Sequence, residues 1–447
     1  MARAGANDML YAEGQGPLFQ ELEGVVEQNV KICPLTSDNR RIVNRHLPFT
    51  RPSAFGREHA TLGLGDRLGL CSDAHLQAVK GHPIKPILAQ QSIRELTLMH
   101  RNYDQVMDAA AWSVLRNGWH EGWGADGDHL KQDEEVAMAL RAGCTMITLD
   151  CSERLGKKPD QAEAVGDFRA LPEDLRERFI GDYLQQTDAR GLDLIFTEES
   201  LAEIVAVYWP AVEFAVHIWF ELLEGAGRAM DYEISLDETL ATTPPAAHYF
   251  VANELTKAGV SYTSLAPRFV GEFQKGIDYL GDLDEFSEDF VAHAKIADAF
   301  GHKISVHSGS DKFLIFPLVG LHTANRFHLK TAGTSWLEGV RVLARLEPAL
   351  YRRLHARALD TFEDASAYYQ VKADLSKIRP LSSVDDSELP LYLTEEDSRQ
   401  LLHITYGLLF DDPQLASAMM TAFGKHKSAY DAGLASHIRK HITCLGL

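Results

Sequence analysis

The chain has 447 residues, of which 45% are apolar and 24% charged, an ordinary composition for a globular protein. Its 44 Lys and Arg against 64 Asp and Glu give a net charge of −20, with no Lys- or Arg-rich run. Because this charge repels phosphate backbones and anionic lipid surfaces, we expect neither nucleic acid nor a membrane as partner. An anionic small-molecule substrate would need a local cationic pocket.

The cysteines and the N-terminal residues indicate the cellular compartment in which the protein works. The five cysteines are scattered and form no Cys-x-x-Cys pair, which argues against a disulfide framework or a thiolate zinc site. The N-terminal residues lack the basic flank and apolar core of a secretory signal. We therefore expect a cytoplasmic protein with a small-molecule partner, and a homo-oligomer remains open.

Eight short apolar or β-branched runs end in Gly, Asp, Ser or His and are followed by helical patterns. In chain order they lie near Asp66, Gln90, Asp128, Asp150, Asp237, Arg268, His307 and Lys330. Alternating strands and helices indicate a parallel sheet, and eight such units predict a (β/α)₈ TIM barrel. Its chemistry would sit in the loops that follow the strands.

Three segments fall outside these units. The interval from Asp150 to Asp237 is far longer than the one that follows it, which predicts a helical insertion after the fourth strand, at about 152–225. Residues 1–60 show no clear period and are expected to form an N-terminal arm. The barrel core would span 61–335, and the mostly helical pattern of 336–447 predicts a C-terminal helical extension.

Two strand ends carry the most specific chemistry. In GADGDHLK, the glycines would let His129 reach a metal ion while Asp128 acts as acid–base catalyst. In SVHSGSDK, His307 is a second imidazole ligand, and the Ser-Gly-Ser turn after it could bind an anion. Two imidazoles and a carboxylate suit zinc, manganese or a similar divalent ion.

The third ligand and the remaining site residues are less sharply defined. We take Glu272 as the carboxylate ligand, also with a catalytic role, while Glu233, Asp150 and Asp237 compete for that position. Asp150 and Asp311 are further catalytic candidates. A lysine at the eighth strand end could also be a Schiff-base nucleophile, although we favour anion binding. The predicted substrate-binding residues are Gln91, Arg268, Lys312, His328 and Lys330, with Arg94 and Lys131 behind them.

Several segments resemble the tagaturonate/fructuronate epimerase family of hexuronate catabolism. They are AQQSIRE (89–95), GADGDHLK (124–131), SLAPRFVGEFQKGIDY (264–279), HSGSDKF (307–313) and HLKTAGTSWLE (328–338), within a resemblance that runs from about residue 63 to 406. The resemblance implies a cytoplasmic, metal-dependent sugar-acid epimerase with a barrel fold and a keto-uronate substrate. Zn²⁺ is the preferred ion, with Mn²⁺ and Ni²⁺ as alternatives.

More distantly, the Asp128–His129 pair, the MITLDCSE run and the His-Ser-Gly-Ser turn are similar to class II aldolases. There the histidines bind zinc and the Asp is the acid–base residue, but a further His follows the sixth strand, where this chain has APRFVGEF. The similarity implies inversion by retro-aldol cleavage, since the hydrogen on the carbon β to the ketone is not acidic. Two alternatives remain: a class II-type aldolase for a sugar acid or sugar phosphate, and a non-catalytic aldolase-like partner subunit.

Overall fold

A small antiparallel sheet precedes the barrel in the computed structural model, which describes residues 9–185, 190–239, 241–369 and 371–447. Its strands are β1 (Met9–Glu13), β2 (Val25–Glu27) and β3 (Val30–Pro34), in the order β1–β3–β2, with helices Pro17–Glu21 and Ser37–His46 beside it. Only Leu10, Lys31 and Cys33 are buried in these strands, which therefore lack the fully buried apolar runs of the barrel strands, and the sequence pattern predicted no element here.

Eight parallel strands then close into a barrel, in which each strand pairs with the next in the chain and the last pairs with the first. All eight predicted strands are confirmed, and the fold is a (β/α)₈ TIM barrel. The barrel strands are β4 (Ala60–Gly63), β5 (Ile84–Ser92), β6 (Gly124–Leu130), β7 (Met146–Asp150), β8 (Asp231–Ser235), β9 (Ser264–Ala266), β10 (Lys303–Val306) and β11 (Phe327–Lys330).

The strands are buried on both faces because helices cover the barrel, as parallel sheets require. The helix Leu283–Phe300 shows how the sequence specifies this layer. It begins at the cap Asp282, buries Phe286, Phe290 and Ala297 on one face, and ends at Gly301, whose φ is 72°. The other helices around the barrel are Ser72–Val79, Ile93–Leu98, Tyr103–Asn117, Asp133–Ala142, Pro245–Lys257, Phe316–His322 and Thr334–Leu346.

The predicted insertion lies between β7 and β8. It contains the helices Gln161–Ala170, Glu173–Phe179 and Glu198–Ile218, and two π-helical turns, Ile180–Leu184 and Trp219–Leu223. By length and composition the stretch Glu198–Leu223 would pass for a membrane span, but 56% of its most apolar window is buried inside the protein. There it packs against Gln161–Ala170 and Pro245–Lys257, so its apolar face belongs to the core.

A helical C-terminal extension follows the barrel, as predicted, and packs beside its mouth. Trp336 Nε1 donates to the carbonyl of Leu402 at 2.8 Å, which ties the eighth barrel helix to the extension. The final helix packs on Ser72–Val79 and Thr334–Leu346. The α-helices of the extension are Pro348–Asp360, Phe362–Ser366, Glu396–Ile404, Tyr406–Phe410, Pro413–Lys425 and Lys427–Cys444, with 3₁₀ turns at Leu375–Lys377, Leu381–Ser383 and Asp386–Leu393.

Candidate active site

Strand β6 is distorted where it reaches the mouth of the barrel. Its pairing with β7 changes register between Gly127 and Leu130, and His129 adopts a left-handed φ of 52°. On a regular strand, neighbouring side chains point to opposite faces, so Asp128 and His129 could not both reach the mouth. The bulge brings both side chains to the lining of one cavity.

His307 follows β10 and is held between two carboxylates. Its Nε2 lies 2.7 Å from Oε1 of Glu233, a fully buried residue of β8, and its Nδ1 lies 2.8 Å from Oδ1 of Asp237. If Nε2 carries a hydrogen for Glu233, the lone pair of Nδ1 is left for a metal ion on the side of Asp237. A carboxylate behind the far nitrogen is the arrangement typical of metal-binding histidines.

Three side chains bring metal-ligand atoms together. One ligand atom from each of His129, Asp237 and His307 lies within 4.8 Å of the others, and the two rings meet edge to face. The Nδ1 atoms of both histidines are buried without a hydrogen bond. Asp237 approaches Nδ1 of His307 closely, but the contact lacks hydrogen-bond geometry. A second group shares His129 and adds Asp150 and Glu238. Imidazole and carboxylate donors suit Zn²⁺ or Mn²⁺, so the residues fit a divalent ion.

The electrostatics of this region also favour a cation. Burial opposes the charged form of His129, but Asp128, Glu238 and Asp150 outweigh it and raise the pKa of His129 to about 10. The Nδ1 of His129 lies 3.4 Å from Oδ2 of Asp150, whose side chain is fully buried. Asp150 therefore adds buried negative charge beside His129, with which it shares the second group of ligand atoms.

Lys330, at the end of β11, is surrounded by carboxylates. Its Nζ lies 2.6 Å from Asp128, 2.9 Å from Glu233 and 3.4 Å from Asp126. Although burial opposes its charge, these neighbours hold the pKa of Lys330 well above its usual value. Burial likewise opposes ionisation of Asp128, but Lys330 lowers the pKa of Asp128 below its usual range. Asp128 is therefore a carboxylate at neutral pH, and Lys330 lacks the neutral amine that a Schiff base needs.

The site opens into a cavity of about 590 Å³, which includes its open mouth. Strand ends supply most of the lining, and the C-terminal extension adds Tyr369 and His403. Three arginine or lysine residues besides Lys330 are present, which gives the acidic protein a local cationic wall. The lining residues are Arg67, Gln90, Ser92, Arg94, Glu95, Asp128, His129, Glu238, Lys275, Gly276, Ser308, Ser310, Lys330, Ala332, Gly333, Tyr369 and His403.

Glu272, predicted to be the third ligand, lies apart from the histidines. It forms an ion pair with Lys372 and accepts a hydrogen bond from Gln274 at 2.5 Å, with 38% of its side chain exposed. Within the described residues, no cluster of metal-ligand atoms includes it. The loop after β9 turns back on itself, so that Glu272 pairs with Leu280 rather than facing the barrel axis. The geometry therefore replaces Glu272 with Asp237 as the carboxylate candidate.

Other predicted residues serve the structure around the cavity. Lys312 donates to three main-chain carbonyls, and Asp311 binds His437 and Arg399, each at 2.5 Å, which anchors the final helix. The predicted substrate-binding residues Gln91, Arg268, Lys312 and His328 are absent from the cavity lining, as are the catalytic candidates Asp150, Glu272 and Asp311 and the predicted metal ligand His307.

Lys275, Tyr369 and His403 also line the cavity, although the sequence analysis did not expect them at the barrel mouth. Arg67 follows the first barrel strand and lines the cavity, as a side chain at a strand end is expected to do. Lys275 lies nine residues beyond the end of β9 at Ala266, and nothing local marks Tyr369 or His403 as barrel-mouth residues. Their place in the site depends on how the extension packs.

Comparison with known proteins assigns the family. The tagaturonate epimerase family model matches residues 3–445. A tagaturonate/fructuronate epimerase of Thermotoga maritima is 37% identical over 430 residues, covering 95% of this chain and 88% of the relative. Crystal structures of a fructuronate-tagaturonate epimerase from Cohnella laeviribosi, native and with one glycerol, superpose with a TM-score of 0.96 at 49% identity, covering 99% of this chain and 92% of theirs. The protein is thus a TIM-barrel isomerase. It belongs to the tagaturonate epimerase family.

Proposed function

We propose that the protein interconverts D-tagaturonate and D-fructuronate with the help of a divalent metal ion held by His129, Asp237 and His307. The observation that carries the proposal is the cluster of these three ligand atoms within 4.8 Å, beside a carboxylate base and a cationic wall. The names of its relatives support the substrate pair. Zn²⁺ is the preferred ion, with Mn²⁺ and Ni²⁺ as alternatives.

The two keto-uronates differ at the carbon β to the ketone, and we propose that inversion proceeds by retro-aldol cleavage. A bound divalent ion would supply Lewis-acid polarisation of the ketone. Asp128, ionised through Lys330, takes the proton of the β-hydroxyl group. The bond between the α and β carbons breaks, its electron pair forms an enediolate, and the β carbon becomes an aldehyde. The aldehyde presents its other face, the bond re-forms, and Asp128 returns the proton.

Lys330 and Glu233 support this step without touching the reacting bond. Lys330 holds the carboxylate of Asp128 at 2.6 Å and keeps it charged in a buried setting. Glu233 fixes the tautomer of His307 and contacts Lys330 at 2.9 Å, so it links the base to the metal site. The arrangement favours an epimerase because both fragments stay inside one cavity.

The test is metal removal and replacement with product analysis. The purified protein is stripped with a chelator, reloaded with Zn²⁺, Mn²⁺ or Ni²⁺, and incubated with fructuronate, and the products are separated by chromatography. Tagaturonate in the reloaded samples alone is the expected result. Free three-carbon fragments would instead identify an aldolase, and no turnover with any ion would indicate a non-catalytic partner subunit.

A further inference from the structure

Besides His129 of the candidate metal site, four cavity residues present buried polar atoms that have no hydrogen-bond partner among the described residues. They are Nη1 of Arg67, Oε1 of Gln90, Oε2 of Glu95 and Nδ1 of His403. Buried polar atoms in proteins are almost always paired, because an unpaired one costs about 1–3 kcal/mol. One such atom is unremarkable, whereas four around one cavity indicate a polar ligand that supplies the partners.

Arg67 is the charged member of this set and is held rigidly. It is 4% exposed, its Nε donates to Oε1 of Glu95 at 2.8 Å, and its guanidinium carbon lies 3.8 Å from the centroid of the Tyr406 ring. These contacts fix the plane of the guanidinium and leave the Nη1 donor for a ligand. A planar guanidinium is the side chain best suited to bind a carboxylate.

The other cations of the cavity are committed to protein partners. Lys330 lies among three carboxylates, which would repel an anionic ligand. Arg94 donates to the carbonyl of Tyr368 and contacts Glu238. Lys275 donates to Oγ of Ser308 at 2.7 Å, but its charge remains on the cavity wall.

Arg67 and Lys275 act on the same part of that wall. Burial lowers the pKa of His403 well below its usual value, and the charges of Arg67 and Lys275 lower it further. His403 is therefore neutral, so its unpaired Nδ1 can accept a hydrogen bond from a hydroxyl group of a ligand. The wall thus combines a positive charge with acceptors for hydroxyl groups.

We propose that Arg67 binds the carboxylate of the keto-uronate, that Lys275 adds positive charge there, and that Gln90, Glu95 and His403 receive its hydroxyl groups. This inference rests on the proposed function. Cleavage between the α and β carbons divides the six-carbon acid into a three-carbon enediolate and a three-carbon aldehyde that carries the carboxylate. Arg67 would therefore retain the aldehyde fragment while it turns its other face.

The first experiment measures binding without turnover. Calorimetry follows fructuronate, and fructose as its neutral counterpart, binding to chelator-treated wild-type protein and to Arg67→Met. The variant should bind fructuronate about 10- to 100-fold more weakly, as expected for a lost hydrogen bond to a charged group, and should bind fructose like the wild type. Arg169→Met is the control, because the Arg169 side chain is 65% exposed and pairs with Glu198 in the insertion, and it should leave the fructuronate affinity within about threefold.

Arg67→Met leaves the buried carboxylate of Glu95 without its partner, which could itself disturb the cavity. The double variant Arg67→Met/Glu95→Gln removes both charges of this ion pair, and it should show the same loss of fructuronate affinity. If wild-type protein binds fructuronate and both Arg67 variants bind it equally well, Arg67 does not hold the carboxylate. If the wild-type protein binds fructuronate neither without metal nor after reloading with Zn²⁺, the proposed function itself fails.

The second experiment measures the fate of the fragments in the metal-reloaded enzyme. Arg67→Lys keeps the charge but loses the planar fork, so the ratio of released three-carbon aldehyde acid to epimerised product should rise above that of the wild type. A merely structural role would lower both outputs together and leave the ratio unchanged, which would overturn the retention role.

Discussion

The identity of the carboxylate ligand gives the sharpest prediction. Asp237→Ala should remove one of three ligand atoms that lie within 4.8 Å of one another. Loss of a residue that merely orients a ligand weakens metal binding about 10- to 100-fold, so loss of a ligand itself should cost about 100-fold or more. Glu272→Ala removes an ion pair with Lys372, which is 69% exposed, and a hydrogen bond from Gln274, each worth about 1 kcal/mol.

The assay equilibrates each variant with Zn²⁺ against a competing chelator and measures bound zinc by mass spectrometry, with fructuronate turnover recorded in parallel. Asp237→Ala should lose zinc and turnover, whereas Glu272→Ala should retain its zinc affinity and stay within about fivefold of wild-type kcat/KM. The opposite outcome, zinc lost with Glu272→Ala and kept with Asp237→Ala, would refute the geometric assignment and restore the original prediction.

Three further variants test other parts of the structure. Lys330→Met leaves three buried carboxylates uncompensated and should lower the free energy of unfolding by about 3–5 kcal/mol, measured by urea denaturation. Burial lowers the pKa of His355 in the folded protein to about 4, whereas its ordinary value is 6.5. As the pH falls from 6.5 to 4, His355 is protonated only in the unfolded chain, so the free energy of unfolding falls by up to about 3 kcal/mol. His355→Phe should flatten the fall of stability between pH 6.5 and 4 in metal-free protein, and an unchanged slope would contradict the buried neutral state. Alanine can adopt the backbone of Gly333, whose φ is −78°, but its Cβ would overlap the ring of His403 and displace it in the cavity. Gly333→Ala should therefore lower kcat/KM at least about tenfold with little loss of stability. Unchanged kinetics of this variant would show that the His403 ring has room to move.

The barrel was predictable because each strand–helix unit carries its own local signal. Asp150 and Lys330 end their strands where the pattern placed them, since a buried run followed by an amphipathic helix depends only on neighbouring residues. The sheet of β1–β3 was missed because its strands are mostly exposed or half-buried and lack the buried apolar runs that mark the barrel strands. Extension helices were predicted, but their packing beside the barrel mouth depends on contacts between distant residues, such as Trp336 with Leu402.

The site was predictable only in part, for the same reason. Asp128 and His129 were correctly expected at one mouth, but the bulge and the left-handed φ of His129 that bring both there leave no pattern in the sequence. Glu272 and Asp237 both follow strands, and only the backward turn of the loop after β9 separates them. His403 enters the cavity from a helix that no local pattern connects with the barrel.

Inversion by carbon–carbon cleavage is tested most directly with fructuronate that carries deuterium on the carbon β to the ketone. In a retro-aldol reaction that deuterium stays on its carbon throughout, so the metal-reloaded enzyme should convert labelled and unlabelled substrate at nearly the same rate and retain the label in tagaturonate. A severalfold slower reaction of the labelled substrate, or loss of the label to water, would show that the bond to hydrogen breaks and would contradict cleavage between the α and β carbons.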